Sequence, residues 1–525
     1  MPHLQYRQEK IQEKRKQTPW REFVKEIWSW NQMTFYMVDG NISRYPPTSR
    51  ITQLVSGREF EELMWNSINS KERDISKDFF QNFHTLFHNQ QLPFLRIFWP
   101  GVENCAYSDT CYNAKNCYLT TVAAFDVENA CYNYHVSGNS KNVFNSVFVN
   151  TNSENVYQSS DITSSQSIFF SSSVNNCYNI RYSHNLIGCQ ECIACEWLFN
   201  QSYCIENIAY SKEQYFLKKQ DMLHEYNHGR KIVRYKKSNN SCFQCDELEN
   251  GMFCSYVKNG RNVCFVSRDD NGEKRYLYDT MSSGGQIDSA YACMGVSPGD
   301  NFYCCINSAF CSHIYYCMFM ANCSFCLGCI WLKNKSYCLL NKQLEKDERY
   351  EKVDLIFAQM EKTPLDPPFQ GGGSLLGAFF PWSLCPFYFN DTMASLIDDS
   401  FTKEEVMAEG YLRRDEEIKV DIPEWMEVVK SDELSTFEQR KTIGDWDHNG
   451  WGRNLDSSSS ENFSSEWQKW KSRWIDPAIL KKVIRDEKGN VYRVIKMEYD
   501  FLMKYWLPLP REHRLDRLKG HFKIK

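Results

Sequence analysis

The chain has 525 residues, 42% hydrophobic and 15% aromatic, which allows two to four domains with real cores and excludes a disordered chain. A net charge of −5 excludes a global attraction to nucleic acid or acidic lipid, leaving only local basic runs to serve such partners.

Residues 1–55 open on a charged stretch, MPHLQYRQEKIQEKRKQTPW, where a secretory signal would need an apolar run. No window approaches a membrane-spanning length of apolar residues. A cytoplasmic protein is therefore expected, with thiols kept reduced, so its 23 cysteines read as free or metal-bound rather than as a disulfide framework. Residues 56–98 mix apolar and charged side chains at helical spacing and predict a helical cap.

From 99 to 210 the chain is dominated by Asn, Ser, Tyr and Cys and carries few charges. Short phrases recur, such as Asn116-Cys117-Tyr118, Asn142-Val143-Phe144, Asn155-Val156-Tyr157 and Asn176-Cys177-Tyr178; the first three lie 26 and then 13 positions apart. A unit of this size is too short for a helical repeat and suits a β-solenoid of stacked coils. Coils of about 12 or about 25 residues fit the pattern equally well. In such a fold Cys and Val exchange because both are small, apolar and able to stack inward at strand spacing. Asn tolerates left-handed backbone and should mark the bends. Tyr118, Tyr157 and Tyr178 should then lie on an outer binding surface.

Residues 211–240 form a capping helix and connector, with Ser211 and Gln214 at capping-box spacing. A second β-solenoid follows at 241–341, because CQECIACEWLFNQSYCIEN from Cys189 aligns without gaps to CSFCLGCIWLKNKSYCLLN from Cys323. Residues 342–366 supply its capping helix, since an open sheet edge would otherwise recruit other strands. The stretch 367–455 is a linker followed by a C-terminal segment in which Thr402 and Glu405 have capping-box spacing. A Ser-rich insertion, 456–466, precedes the last segment, 467–525. The expected fold is thus mainly β: two tandem short-coil, β-helix-like solenoids, each capped by helices, with α+β terminal segments.

Cysteines at i, i+3 and i+6 have chelate spacing, and a fourth donor follows each trio. Cys189, Cys192, Cys195 and Cys204, with their copies Cys323, Cys326, Cys329 and Cys338, are therefore candidate zinc or iron–sulfur ligands. Buried thiol packing is the preferred reading, because Val and Ser hold the equivalent places in other coils and residues three apart fall at successive corners of a tight coil. Cys242 and Cys245 lack a second pair at ribbon spacing. The best acidic patch for a polysaccharide-acting β-helix enzyme is Asp269, Asp270 and Glu273, which a charged loop explains equally well.

The phrases NKSYCLLNKQLEKDERY (334–350), NCYL (116–119), CPFYFNDTMA (385–394) and FTKEEVMAEGYLRRDEE (401–417) resemble an uncharacterised family of Cys-rich repeat proteins from small-genome, candidate-phyla bacteria. The resemblance spans most of the chain and implies no activity. It implies zinc-knuckle-like segments flanking the repeats, which makes 1–55 and 467–525 degenerate knuckles. Pro508-Leu509-Pro510-Arg511 keeps the family frame, but His513 and Asp516 stand where thiols belong, as do Arg485 and Lys488 upstream and His3 and Tyr6 at the other end. Zinc needs four good ligands, so no metal is expected at these ends.

The expected function is a non-catalytic scaffold or assembly protein that presents a rigid repeated surface to a macromolecule. That partner is expected to be a protein, with RNA or a glycan as alternatives, and self-association into a homo-oligomer would suit the same surface. A metalloprotein and a polysaccharide-acting enzyme are the competing readings. No cofactor is expected under the preferred one.

Overall fold

The computed structural model describes residues 19–227 except 49, 52, 67–72 and 106. It also describes 274–277, 287–290, 299–302, 306, and 310–521 except 365–373, 417–419 and 435–474. The Ser-rich stretch 456–466, the residues Asp269, Asp270 and Glu273, the thiols Cys242 and Cys245, and His3 and Tyr6 lie outside the described residues. The described residues fall into two compact units, each discontinuous in sequence. Unit 1 draws on Met1–Asp126 and Lys236–Glu416; unit 2 draws on Val127–Tyr235 and Glu417–His521. Helices α1 (Gly57–Asn66), α2 (Phe79–His88), α3 (Lys212–Asn227), α4 (Lys346–Lys362), α5 (Lys496–Tyr505) and α6 (Arg514–Lys519) accompany a β-solenoid.

In unit 2 each coil contributes two four-residue strands, and every strand pairs in parallel with the equivalent strand of the next coil. One wall runs through Tyr134–Ser137, Val147–Asn150, Ser160–Thr163, Ser172–Asn175, His184–Ile187 and Glu196–Phe199. The other runs from Lys141–Phe144 to Ser202–Ile205. The register settles the coil length: Val147 faces Ser160, Ser160 faces Ser172 and Ser172 faces His184, so coils of 13 residues give way to coils of 12. The extra residue sits in a widened corner, where Gly138–Asn139 and Thr151–Asn152 are each a pair of consecutive left-handed residues. A Cβ at Gly138 would lie 3.0 Å from the Thr151 nitrogen, so close approach to the next coil favours glycine here, while Thr151 takes the same left-handed place one coil on.

Backbone of positive φ recurs every third residue from Asn142 to Glu206, which gives each 12-residue coil four sides of three residues. Asn holds many of these corners, as expected. Its amides form ladders between coils, with Asn129, Asn142 and Asn155 bonded in series at 3.0 Å. Aromatic residues hold other corners, where the ladder over-determines a backbone they would not choose alone. Stacking at the inter-strand spacing favours them there: Phe170 lies 4.9 Å from Tyr182, and in unit 1 Phe325 lies 5.1 Å from Tyr337.

The inward side chain is the residue after each corner, so the interior consists of four columns. Two are apolar: Val143, Val156, Ile168, Ile180, Cys192 and Cys204 in one, and Val149, Ile162, Val174 and Leu186 in the other, all buried. Each fully buried Val or Ile contributes roughly 1.5–3 kcal/mol. Helix α3 packs beside the last coils, against the outer side of the Ile193–Ile205 wall. Its reciprocal Ser211–Gln214 capping box forms as the spacing predicts, and Tyr215 packs on Ile193 and Ile205.

Unit 1 contains coils of the same kind at Ile97–Glu103 and Cys111–Lys115, and again at Ser312–Tyr315 and Ser324–Leu327, with α4 on the last. Its aromatic core is built on α2. Phe79 lies 5.5 Å from Tyr316, and Phe83 lies 5.2 Å from Phe380.

Candidate interaction surface and thiol columns

The CxxCxxC motifs follow from the coil geometry. Cys189, Cys192 and Cys195 occupy three consecutive walls of one coil, and Cys323, Cys326 and Cys329 occupy the same three in the copy; all are buried. They lie on the walls, one residue past the corners, and not at the corners that spacing alone suggested. Two of the walls differ chemically from the third. Cys192 continues the column Val156, Ile168, Ile180 and so takes the place of an aliphatic side chain.

Cys195 follows Ser146, Ser159, Ser171 and Ser183 in a column in which each hydroxyl accepts the backbone N–H one coil later and donates to the carbonyl two residues back. Cys189 follows Ser153, Ser165 and Cys177 in the fourth column, and the Cys177 sulfur accepts the Cys189 N–H at 3.2 Å. Cys189 and Cys195 therefore take the place of serine as inter-coil hydrogen-bonding groups, as Cys323 and Cys329 do at the matching positions of the copy, a role beyond the inward packing expected of them.

All eight candidate ligands donate S–H to a main-chain carbonyl two residues back, at 3.2 to 3.6 Å. Burial pushes the Cys204 and Cys329 thiols up, and Cys385 up to about 11, whereas hydrogen bonds from neighbouring thiols hold Cys189 down at about 3 and lower Cys195, Cys323 and Cys326. Among the described residues all sixteen cysteines are free, and no cluster of three or more His, Cys, Asp or Glu is arranged to hold a metal ion.

The two kinds of column predict different costs. Cys195→Ser and Cys329→Ser should change stability by no more than about 0.5 kcal/mol, because serine already serves the Cys195 column and Cys329 holds the matching hydrogen-bonding position in the copy. Cys192→Ser and Cys326→Ser should cost about 1–2 kcal/mol by placing a hydroxyl in an aliphatic column. Urea unfolding of the four variants separates this pattern from a ligand set, in which all four would be equally damaging.

The two stacks end alike. From Cys177 to Asn207 and from Cys311 to Asn341 the inward positions correspond one to one at a separation of 134. At the last inward position, Asn207 accepts from the Glu196 N–H at 2.8 Å and donates to the Glu196 carbonyl at 3.0 Å. Asn341 does the same to Ile330, both at 2.8 Å. A side-chain amide thus copies the peptide group that a further coil would have supplied.

The outer tyrosines fare differently. Tyr178 is half exposed; Tyr118 is half-buried and lies 5.5 Å from Tyr107. Tyr157 is not on the surface at all. It is fully buried beneath α5, with its ring 6.1 Å from Phe501 and its hydroxyl donating to Glu498 Oε1 at 3.2 Å. The exposed aromatics that spacing missed include Tyr112 and Phe125, 5.6 Å apart on neighbouring coils of unit 1, and Trp197 and Phe199 in unit 2.

In the C-terminal segment, residues that replace knuckle ligands bond to one another. Lys488 pairs with Asp516 at 2.5 Å. Asp486 accepts from the N–H groups of Lys488, Asn490 and His513, at 3.0, 2.8 and 3.1 Å. His513 caps α6 by accepting from the Leu515 N–H. Burial, reinforced by Arg514 and Arg517 and opposed by Asp516 and Asp486, holds its imidazole down at about 4.

Between pH 6.5 and 4 the unfolded chain binds a proton here that the folded chain refuses, so stability is complete above 6.5 and falls as pH drops through this window. The loss should reach about 2–3 kcal/mol near pH 4. His513→Gln should flatten that slope in urea midpoints measured from pH 7 to 4.5.

No helix among the described residues is long and apolar enough to cross a membrane. Comparison with family models, with curated proteins and with solved structures returns no match.

Proposed function

We propose that the chain is a non-catalytic scaffold whose β-solenoid coils present a rigid, repeated outer surface to a macromolecular partner, a protein in the first instance. The observation that carries this reading is the contrast between interior and exterior. Inside, every column is filled by side chains spent on packing or on bonding the next coil. Outside, aromatic rings stand in coil register, with Tyr112 50% and Phe125 61% exposed. Rings held by a stiff backbone lose little conformational entropy on binding, which is why such positions concentrate affinity at interfaces.

The test is recovery of the tagged full chain from its native cells at fixed salt, with co-purifying macromolecules quantified. A stoichiometric protein should be recovered with the unmodified chain and reduced about tenfold by Tyr112→Ser with Phe125→Ser, at an unchanged melting temperature. Undiminished recovery by that variant would sink the reading. An RNA or glycan recovered in its place, or a turnover activity lost with the same change, would redirect it.

A further inference from the structure

The two copies of the end coil have identical tryptophans in opposite surroundings. Trp331 is 3% exposed; it stacks on Phe319 at 4.1 Å and meets Phe60 of α1 edge-on at 4.5 Å, with an interplanar angle of 82°. Its neighbour Leu332 and the capping Asn341 are buried as well. At the matching positions of the first stack, Trp197 is 65% exposed, Leu198 is only half-buried and Asn207 is exposed. Phe199 replaces Lys333 and is 64% exposed, and Ile208, next to the cap, is 55% exposed. Unit 2 therefore leaves bare the end-coil face that unit 1 seals with a helix. Isolated exposed apolar residues are ordinary; an indole, a phenyl and an isoleucine all exposed within the last coil are a concentration of apolar surface.

The charges flanking this surface select what covers it. Glu196 and Glu206, both exposed, stand where the second copy has the buried Ile330 and Leu340. Helix α1 is itself acidic, with Glu59, Glu61 and Glu62, so a second copy's α1 would meet like charge here. We infer that the end coil of the first solenoid docks a basic amphipathic helix of a partner protein, with an aromatic side chain seated edge-on against Trp197 and Lys or Arg facing Glu196 and Glu206. This mode is a helix laid in an apolar site, with charge fixing its register. The inference rests on the scaffold reading and assigns it a second contact, apart from the Tyr112–Phe125 columns.

The probe is a lactam-bridged helical peptide of residues 56–66 carrying Glu59→Lys, Glu61→Lys and Glu62→Lys, labelled for fluorescence anisotropy. The acidic parent peptide is the charge control. The full chain should bind the basic peptide saturably, about tenfold more tightly than the parent. Trp197→Ser, an exposed change that leaves melting unaltered, should weaken it by about tenfold or more.

Hydroxyl-radical footprinting of the free chain should find Trp197 reactive and the bound peptide should protect it. Equal binding by Trp197→Ser, preference for the acidic peptide, absence of saturable binding, or protection of Trp197 in the free chain each overturns the inference. Because Tyr112 and Phe125 are untouched in these measurements, failure here leaves the lateral surface to be judged by its own experiment.

Discussion

Asp109→Ala should destabilise unit 1 by about 3–5 kcal/mol, the cost of removing one partner from a buried ion cluster. The carboxylate is fully buried between two buried guanidiniums: Arg96 binds it through Nε at 3.1 Å and Nη2 at 2.8 Å, and Arg44 Nη1 lies 2.9 Å away. It also accepts the Arg96 backbone N–H at 2.8 Å. Burial opposes the charge, but Arg44 and Arg96 together overcome it and hold the Asp109 carboxyl below its usual range.

Alanine would strand two cations without water, whereas Asp109→Asn should cost less because it keeps the backbone bond. With two units the unfolding of this chain need not be one transition, so the measurement is hydrogen exchange in peptides spanning Gln32–Arg44 and Arg96–Asp109. Protection in those peptides should collapse while that of unit 2 is unchanged. A chain that keeps full protection there would show that the cluster contributes nothing net.

Glu498→Ala should have a comparable effect in unit 2. Glu498, on α5, is fully buried; Arg517 of α6 pairs with it at 2.8 Å, Asn145 donates to it at 2.6 Å, and Tyr157 completes the set. One carboxylate thus fastens two helices to the coils, beside Phe501, which contacts Phe144, Tyr157 and Phe169. Its loss should cost about 3–5 kcal/mol and release α5 and α6 before the coils themselves melt. The double change Glu498→Leu with Arg517→Met should recover much of this, since replacing both ions with apolar groups of similar size is often nearly neutral. Limited proteolysis of the C-terminal segment reads out both. A double variant as labile as the single one would assign the anchoring to the aromatic contacts instead.

The coils were legible in the sequence because their chemistry is local. A corner must be left-handed, Asn tolerates that, and its recurrence at 116, 142 and 155 marks a period close to the observed coils of 12 and 13 residues. The capping signals at Ser211 and Thr402 were legible for the same reason: the Ser211–Gln214 box forms in full, and the Thr402 hydroxyl accepts the Glu405 N–H while the Glu405 carboxylate pairs with Arg21. The meaning of the cysteine triads was not. Spacing by three is shared by chelation and by a four-sided coil, and only the column through Ser159, Ser171 and Ser183 shows which wall asks for a hydrogen bond.

Tyr157 shows the limit from the other side. Its phrase Asn155-Val156-Tyr157 reads like Asn176-Cys177-Tyr178, yet the register puts Tyr157 between Phe144 and Phe169 and Tyr178 between Gln166 and Gln190; the cover itself is a helix some 340 positions later, through Glu498. The same holds for Asp109, whose partner Arg44 precedes it by 65 positions.

The side-chain amides of Asn207 and Asn341 also bear on how such a chain can vary over time. A stack closed by a residue that imitates the next rung has a full stop written into its last turn, independent of how many turns come before. Whole turns can then be gained or lost upstream in steps of twelve residues, with each inward column still in phase and the terminus still sealed. A gain of one residue is absorbed where a corner takes two left-handed residues, while a gain of two would throw every wall out of phase. Length in this architecture is therefore quantised, and divergence within it should proceed by counting turns rather than by reshaping them.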